Sequence, residues 1–308
     1  MTAPTTPAAQ RPRSLDDVKG WFPPLDQVLF ERFLARQERL DERGDLLEMG
    51  AYLGKSAIFT ASFRRPEERF TVCDLFDADA PDEHNAAEAR KSYATLTRVA
   101  FEQNYRAFHD ELPYIVQGPT SEVPAHVRPD SCRFVHVDAS HLYEHVAGDI
   151  VAARAVLLPH GVVALDDFRS EHTPGVAAAT WEAVFNGGLR PICLSTQKLY
   201  GTWGDPEPFQ EELLATTEWR AGLRMSVQEV GGQRILRFSG RPEHPATAPV
   251  SRFAGEAPAE PAAAPAAAPR PAPRPAPVRA GRRVARELLP PIVTRALRKR
   301  RAERARTR

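Results

Sequence analysis

The chain has 308 residues, 42% hydrophobic and 26% charged, with 41 basic against 40 acidic side chains and a formal charge of +1. That length suits one large domain or two small ones. The near-neutral total hides an asymmetry: residues 278–308 hold 12 Arg/Lys and two Glu, a local +10, which leaves −9 for the other 277 residues. A net-acidic body excludes the folded part as a general nucleic-acid binder, because such proteins need basic surface to displace phosphate counterions. Cys73, Cys132 and Cys193 are odd in number and far apart, so no disulfide framework is expected, and a reducing cytoplasm is. The opening MTAPTTPAAQRPR lacks an apolar signal core, and no run approaches the ~20 apolar residues of a membrane span. A secreted or integral-membrane protein is therefore not expected.

Residues 1–13 read as a disordered tail. After a weak helix start at Ser14–Asp17, Leu25, Val28, Leu29, Phe33 and Leu40 recur at helical spacing up to Gly44, which predicts a helix over 25–43. From Asp45 the pattern changes to short apolar runs: DLLEM (45–49), RFTVCDLF (69–76), PYIVQG (113–118), CRFVHVD (132–138) and GVVALDD (161–167). Helical patterns lie between them at 56–63, 83–112, 122–126 and 144–158. Alternation of this kind implies βαβ units and a parallel sheet. A further helix is expected over 177–186, then PICLST and KLYGTW as an antiparallel pair closing the sheet, then the hairpin MSVQEV-GG-QRILRF (225–238). Between Pro245 and Val278 there are 10 Pro and 13 Ala, a composition that builds no core and reads as a linker. The expected organisation is a tail over 1–13, a domain over 14–241, a Pro/Ala-rich disordered linker over 242–278 and an Arg-rich tail over 279–308.

The first strand turns into a helix through Leu47-Glu48-Met49-Gly50-Ala51-Tyr52-Leu53-Gly54-Lys55-Ser56. Gly50 and Gly54 allow close backbone approach, and the helix behind them offers unpaired N–H groups. Gly54-Lys55-Ser56 suggests a phosphate loop, but the required first glycine would fall at position 49, which is Met. The other candidate ligand is S-adenosylmethionine, whose ammonium group suits Glu48. Asp74 ends the next strand, where a carboxylate can accept both ribose hydroxyls. In LEMGAYLGKSAIFTA followed by TVCD, with Phe101–Asn104 and Gly118-Pro-Thr120-Ser121 around the third strand, the sequence resembles class I S-adenosylmethionine-dependent methyltransferases. It is especially similar to the metal-dependent O-methyltransferases, of which catechol O-methyltransferase is the familiar member. The resemblance implies a Rossmann-like fold, a mostly parallel seven-stranded sheet with an antiparallel end and an added hairpin. It also implies that Gly118–Ser121, hence Thr120 and Ser121, lie against the adenine.

The second constellation is Asp138-Ala-Ser-His141 at the end of the fourth strand and Asp166-Asp167 at the end of the fifth. Both emerge at the sheet edge where open α/β folds bind ligands. Three carboxylates converging there repel one another unless a cation is present, and oxygen ligands favour Mg²⁺. His141 is placed to act as a base near neutrality. Singly, each of these residues reads equally as a cap or a loop side chain; together they carry the argument. The pattern is similar to the metal-dependent sugar O-methyltransferases of macrolide and aminocoumarin pathways and to the cephalosporin hydroxylase-like and rhamnosyl group. That resemblance covers about residues 45–204 and implies Asp138, Asp166 and Asp167 as metal ligands and His141 as base. Some members have Glu where this chain has Asp166. Asp149 reads as a helix-surface residue, and His136 and His145 as packing or surface histidines.

The implied reaction is methyl transfer to a hydroxyl of a small molecule or glycosylated natural product. A non-catalytic S-adenosylmethionine-binding protein, tethered by its basic tail, is the alternative. The tail itself reads as solvated, with a weak peripheral contact to an anionic membrane as the second reading. No specific nucleic-acid partner is expected, and a homo-oligomer is compatible with the sequence.

Overall fold

The computed structural model describes residues 11–78 and 96–256, all within Met1–Ala257, the first of two units into which the chain divides. The expected tail over 1–13 up to residue 10, the part of the 83–112 helical stretch up to 95, the linker from 257 and the basic tail over 279–308 lie outside the described residues. No helix among the described residues is long and apolar enough to cross a membrane.

The apolar runs form β1 (Asp45–Met49), β2 (Phe70–Asp74), β3 (Tyr114–Gln117), β4 (Cys132–Val137) and β5 (Leu157–Leu165). They pair in parallel in the order β3-β2-β1-β4-β5. β6 (Arg190–Leu194) and β7 (Leu199–Thr202) add the antiparallel end, with β7 inserted between β5 and β6. The hairpin of β8 (Leu223–Val230) and β9 (Gln233–Gly240) turns at Gly231-Gly232, both at positive φ, the backbone a tight hairpin turn requires. β9 pairs in parallel with β6, so the hairpin extends the seven strands into one sheet of nine.

Helices cover both faces of the parallel half, which is why its strands read as unbroken apolar runs. One face sets Leu46, Val72, Phe134, Ala164 and Tyr200 against α1 (Pro24–Arg39), α2 (Lys55–Ala61) and α3 (Arg98–Arg106), with α7 (Glu207–Ala215) farther along. The other sets Leu47, Met49, Val135, Val163 and Leu165 against the short α4 (Val123–His126), α5 (Tyr143–Val156) and α6 (Pro174–Phe185). α1 starts at Pro24, whose fixed φ suits a first helical turn. It ends at Arg39, earlier than the spacing predicts, because Asp41 takes a positive φ and turns the chain toward β1. Phe30 and Phe33 pack edge-on and tilted on Phe134 and Tyr200, with ring centroids 4.9 Å and 5.3 Å apart.

Residues 242–256 depart from the expected linker: they run back across the domain. The Ser251 hydroxyl donates to the Pro12 carbonyl at 2.6 Å, Thr247 N–H to the Glu31 carboxylate at 2.9 Å, and Arg252 N–H to the Ala107 carbonyl at 2.8 Å. Arg11 lies over the Phe253 ring, 4.9 Å from its centroid. Linker composition therefore does not begin at residue 242; Phe253, Ser251 and Ala246 give this stretch enough to bury.

At the start of β4 the guanidinium of Arg133 is completely buried. It donates twice to Glu68, at 2.9 and 2.8 Å, once to Gln37 Oε1 at 2.9 Å and once to the Phe63 carbonyl at 2.6 Å. Burial alone would raise the Glu68 carboxyl, but the bonds from Arg133 and Arg65 hold it down at about 2. That stabilisation is fully present above the ordinary value of 4.5 and is lost as the pH falls toward 2. Removing Arg133 leaves the buried Glu68 charge with Arg65 alone to compensate it. Arg133→Leu is expected to cost about 3–5 kcal/mol in urea-unfolding stability at pH 7, and to lose part of that penalty at pH 3.

Candidate active site

One cavity of about 1120 Å³ opens at the C-terminal ends of β1, β2, β4 and β5. Of the residues singled out from the sequence, Gly50, Asp74, Thr120, Ser121, Asp138, His141, Asp166 and Asp167 line it. Glu48, Gly54 and Ser56 are not among its lining residues.

The turn after β1 explains the difference. Gly50 has φ 82°, and a Cβ there would stand 2.0 Å from the Asp138 carbonyl oxygen, so the ends of β1 and β4 touch backbone to backbone. Gly54, at φ 96°, caps the start of α2, and a Cβ there would stand 3.1 Å from the Phe101 ring. Glu48 does not reach the cavity as a carboxylate for an ammonium group: it is fully buried, accepts from the Ser56 hydroxyl and lies 3.0 Å from His136 Nδ1. Alternation along β1 turns its side chain onto the α1–α2 face, and Ser56 in the first turn of α2 meets it there. Both residues brace the turn from behind. Asp74 does face the cavity, but its carboxylate already accepts N–H bonds from Ala51 at 2.7 Å, Tyr52 at 3.0 Å and Phe76 at 2.6 Å. Burial still carries its carboxyl upward against those three bonds.

The acid cluster assembles as the spacing predicts. His141 Nε2 is 3.0 Å from Asp167 Oδ2, and the Ser170 hydroxyl donates to Asp167 Oδ1 at 2.7 Å. Burial opposes ionisation of Asp167, yet the bonds from His141 and Ser170 hold it at about 2. Asp138 and Asp166 crowd one another: burial and the neighbouring Asp166 charge push Asp138 well up. Asp166 stays low, because Lys198 overcomes its burial. Two overlapping sets hold ligand atoms within 4.8 Å of one another: Asp138, His141 and Asp167 on the cavity side, and His136, Asp138 and Asp166 behind.

Three residues go beyond the sequence reading. Lys198 is fully buried and donates to Asp166 Oδ2; its signal was the antiparallel register, which sets β7 against the end of β5. His136, read as packing or surface, is wholly buried between Glu48 and Asp166: Nδ1 is 3.0 Å from Glu48 Oε1, while Nε2 is 3.9 Å from Asp166 Oδ2 and has no hydrogen-bond partner. Asp149 is not on the helix surface; it is 3% exposed and lines the cavity beside Thr120. Burial pushes its carboxyl up to about 6 against the hydrogen bond from Thr120. The buried stripe Val146, Asp149, Ile150, Ala153 and Val156 has helical spacing and would have placed it inside. At the mouth, Trp21 is 74% exposed and tilts over Tyr52 at 5.7 Å, while His172 lies 6.4 Å from His141.

Residues 47–168 match the model of a family described as a methyltransferase domain. The matched segment runs from β1 to just past β5 and includes the strand ends at which the cavity opens. Among solved structures, the chain is similar to the O-methyltransferase NovP, at 19% identity and a TM-score of 0.48, over 58% of this chain and 79% of that one. It is also similar to CalS11, a TDP-rhamnose 3'-O-methyltransferase of calicheamicin biosynthesis, at 20% identity, TM-score 0.39, over 59% and 79%. A third is the O-methyltransferase TomG from Streptomyces achromogenes, at 16% identity, TM-score 0.36, over 61% and 92%. No curated protein matches the chain.

Because the contact at Gly50 is backbone to backbone, no rotamer change relieves a methyl group there. Gly50→Ala should lower unfolding stability by more than about 1 kcal/mol, measured by denaturant titration.

Proposed function

We propose that the chain is an O-methyltransferase that moves the methyl group of S-adenosylmethionine to a hydroxyl of a small molecule, with a divalent cation, Mg²⁺, at the acid cluster. The observation that carries this reading is the convergence of Asp138, His141 and Asp167 in one cavity of a methyltransferase domain. The donor set fits a hard divalent ion. Three carboxylates less the Lys198 charge leave a formal −2, and the protein donors on Asp166 and Asp167 take one lone pair of each oxygen and leave others for a metal. Asp138 and Asp167, with the remaining capacity of Asp166, would hold it. A cation there lowers the pKa of a nearby hydroxyl and fixes its orientation.

His141 takes the acceptor proton. Donation of Nε2–H to Asp167 fixes the ring and puts the lone pair of the neutral imidazole on Nδ1, the atom that then receives a proton. The ionised Asp167 favours the imidazolium so formed. Thr120 and Ser121 line the same cavity and would take the adenine end of the methyl donor. Gly50 lets the β1 turn pack against the Asp138 backbone, and holding donor and acceptor in the one cavity there would supply much of the acceleration in a two-substrate reaction.

Methyl transfer from labelled S-adenosylmethionine to a panel of hydroxylated acceptors tests the reading. Asp138→Ala should abolish turnover while cofactor affinity, measured calorimetrically, stays within about threefold; retention of a tenth of the activity in EDTA sinks the metal role. His141→Ala should cost about 10²–10⁴-fold in rate with substrate binding little changed.

A further inference from the structure

Behind the acid cluster, Lys198 is cut off from solvent. An ammonium is strongly hydrated, and its burial is costly unless charges of opposite sign replace the lost water. Here they do. Nζ bonds Asp166, and the charges of Asp138 and Asp26 also act on it. Asp26 comes from α1 and is fixed by the Tyr200 hydroxyl, which donates to it at 2.7 Å. The register accounts for the encounter: Leu165 of β5 stands opposite Leu199 of β7, so Asp166 and Lys198 are the next residues facing each other across the strand ends. The backbone of Lys198 is pinned as well, its N–H donating to Ser195 Oγ at 2.8 Å and its carbonyl accepting from Ser195 N–H at 2.9 Å. Neither Asp26 nor Lys198 lies in the segment 47–168 that matches the methyltransferase family.

We propose that Lys198 is a built-in cation of the carboxylate centre: a positioning residue that keeps Asp138 and Asp166 assembled with or without a divalent ion, and that weakens the centre's hold on such an ion. A fixed positive charge on Asp166 does part of what an added cation does. It offsets the repulsion among the strand-end carboxylates, and it repels a second cation placed on the cavity side. The proposal rests on the metal reading above only for the identity of the added ion.

The experiment is a calorimetric titration of Mn²⁺ into chelator-treated wild type, Lys198→Met and Lys198→Arg. Lys198→Met keeps the length and removes the charge, so it should bind Mn²⁺ at least about tenfold more tightly than wild type. Lys198→Arg keeps the charge and should stay within about threefold. A lysine with only a packing role would lower the stability of both variants and tighten neither. Mn²⁺ affinity of Lys198→Met equal to or weaker than wild type overturns the proposal. Should Lys198→Met fail to fold, amide hydrogen exchange of the wild type decides. Residues 137–141 and 165–167 should be protected in EDTA to within about threefold of their protection in Mg²⁺, and a larger loss on chelation overturns the proposal. Mn²⁺ bound by wild type but not more tightly by Lys198→Met removes this proposal and leaves the metal reading standing. Mn²⁺ bound by Lys198→Met alone does the reverse, and binding to neither removes both.

Discussion

Like charges brought to the ends of adjacent strands must be offset before anything else at that edge can be built. β4 and β5 deliver Asp138, Asp166 and Asp167 to one place, and the parallel pairing that delivers them cannot be relaxed without moving the core. The chain offsets the repulsion by layers. Lys198 sits on Asp166, and His141 and Ser170 sit on Asp167. Each offset depends on a different element: β7 for Lys198, the loop after β4 for His141 and the turn before α6 for Ser170. The antiparallel end of the sheet thus has a chemical task as well as a structural one, since it carries the cation.

A second layer lies beneath the β1 turn. Glu48, Ser56 and His136 form a buried chain of polar contacts that ends near Asp166, and Asp74 ties down the turn through three backbone N–H groups. Glu48, Ser56 and Asp74 read from the sequence as ligands for a small molecule, yet the bonds they make in the structure go to the protein, and Glu48 Oε2 is buried without a hydrogen-bond partner. A polar residue at a strand tip has two possible clients, the ligand and the turn that faces it. Only the direction of the side chain, set by strand alternation, separates them.

Much of this architecture is legible in sequence because the signals are local and repeated. Unbroken apolar runs give the five parallel strands, Gly231-Gly232 gives the hairpin, and the spacing of Asp138, His141 and Asp166-Asp167 gives one face of the site. What stays hidden depends on pairs far apart in the chain. Lys198 follows Asp166 by 32 residues and is unremarked beside Gln197 until β7 is laid against β5. Asp26 stands 174 residues before its partner Tyr200. Asp149 is a different failure, because helical spacing already put it on the buried stripe, and its charge outweighed its position. Residues 242–256 mislead in the same way: proline and alanine make up six of the fifteen, while Thr247, Ser251, Arg252 and Phe253 make the contacts.

Those contacts have a mechanical consequence. After β9, at one side of the sheet, the chain crosses to α1 and α3 and meets residues 11 and 12. The two ends of the described domain therefore leave from one patch, closed by a hydroxyl–carbonyl bond and a guanidinium over a ring. A force applied between those ends would act first on this small clasp and would reach the nine-stranded sheet only after the clasp had parted.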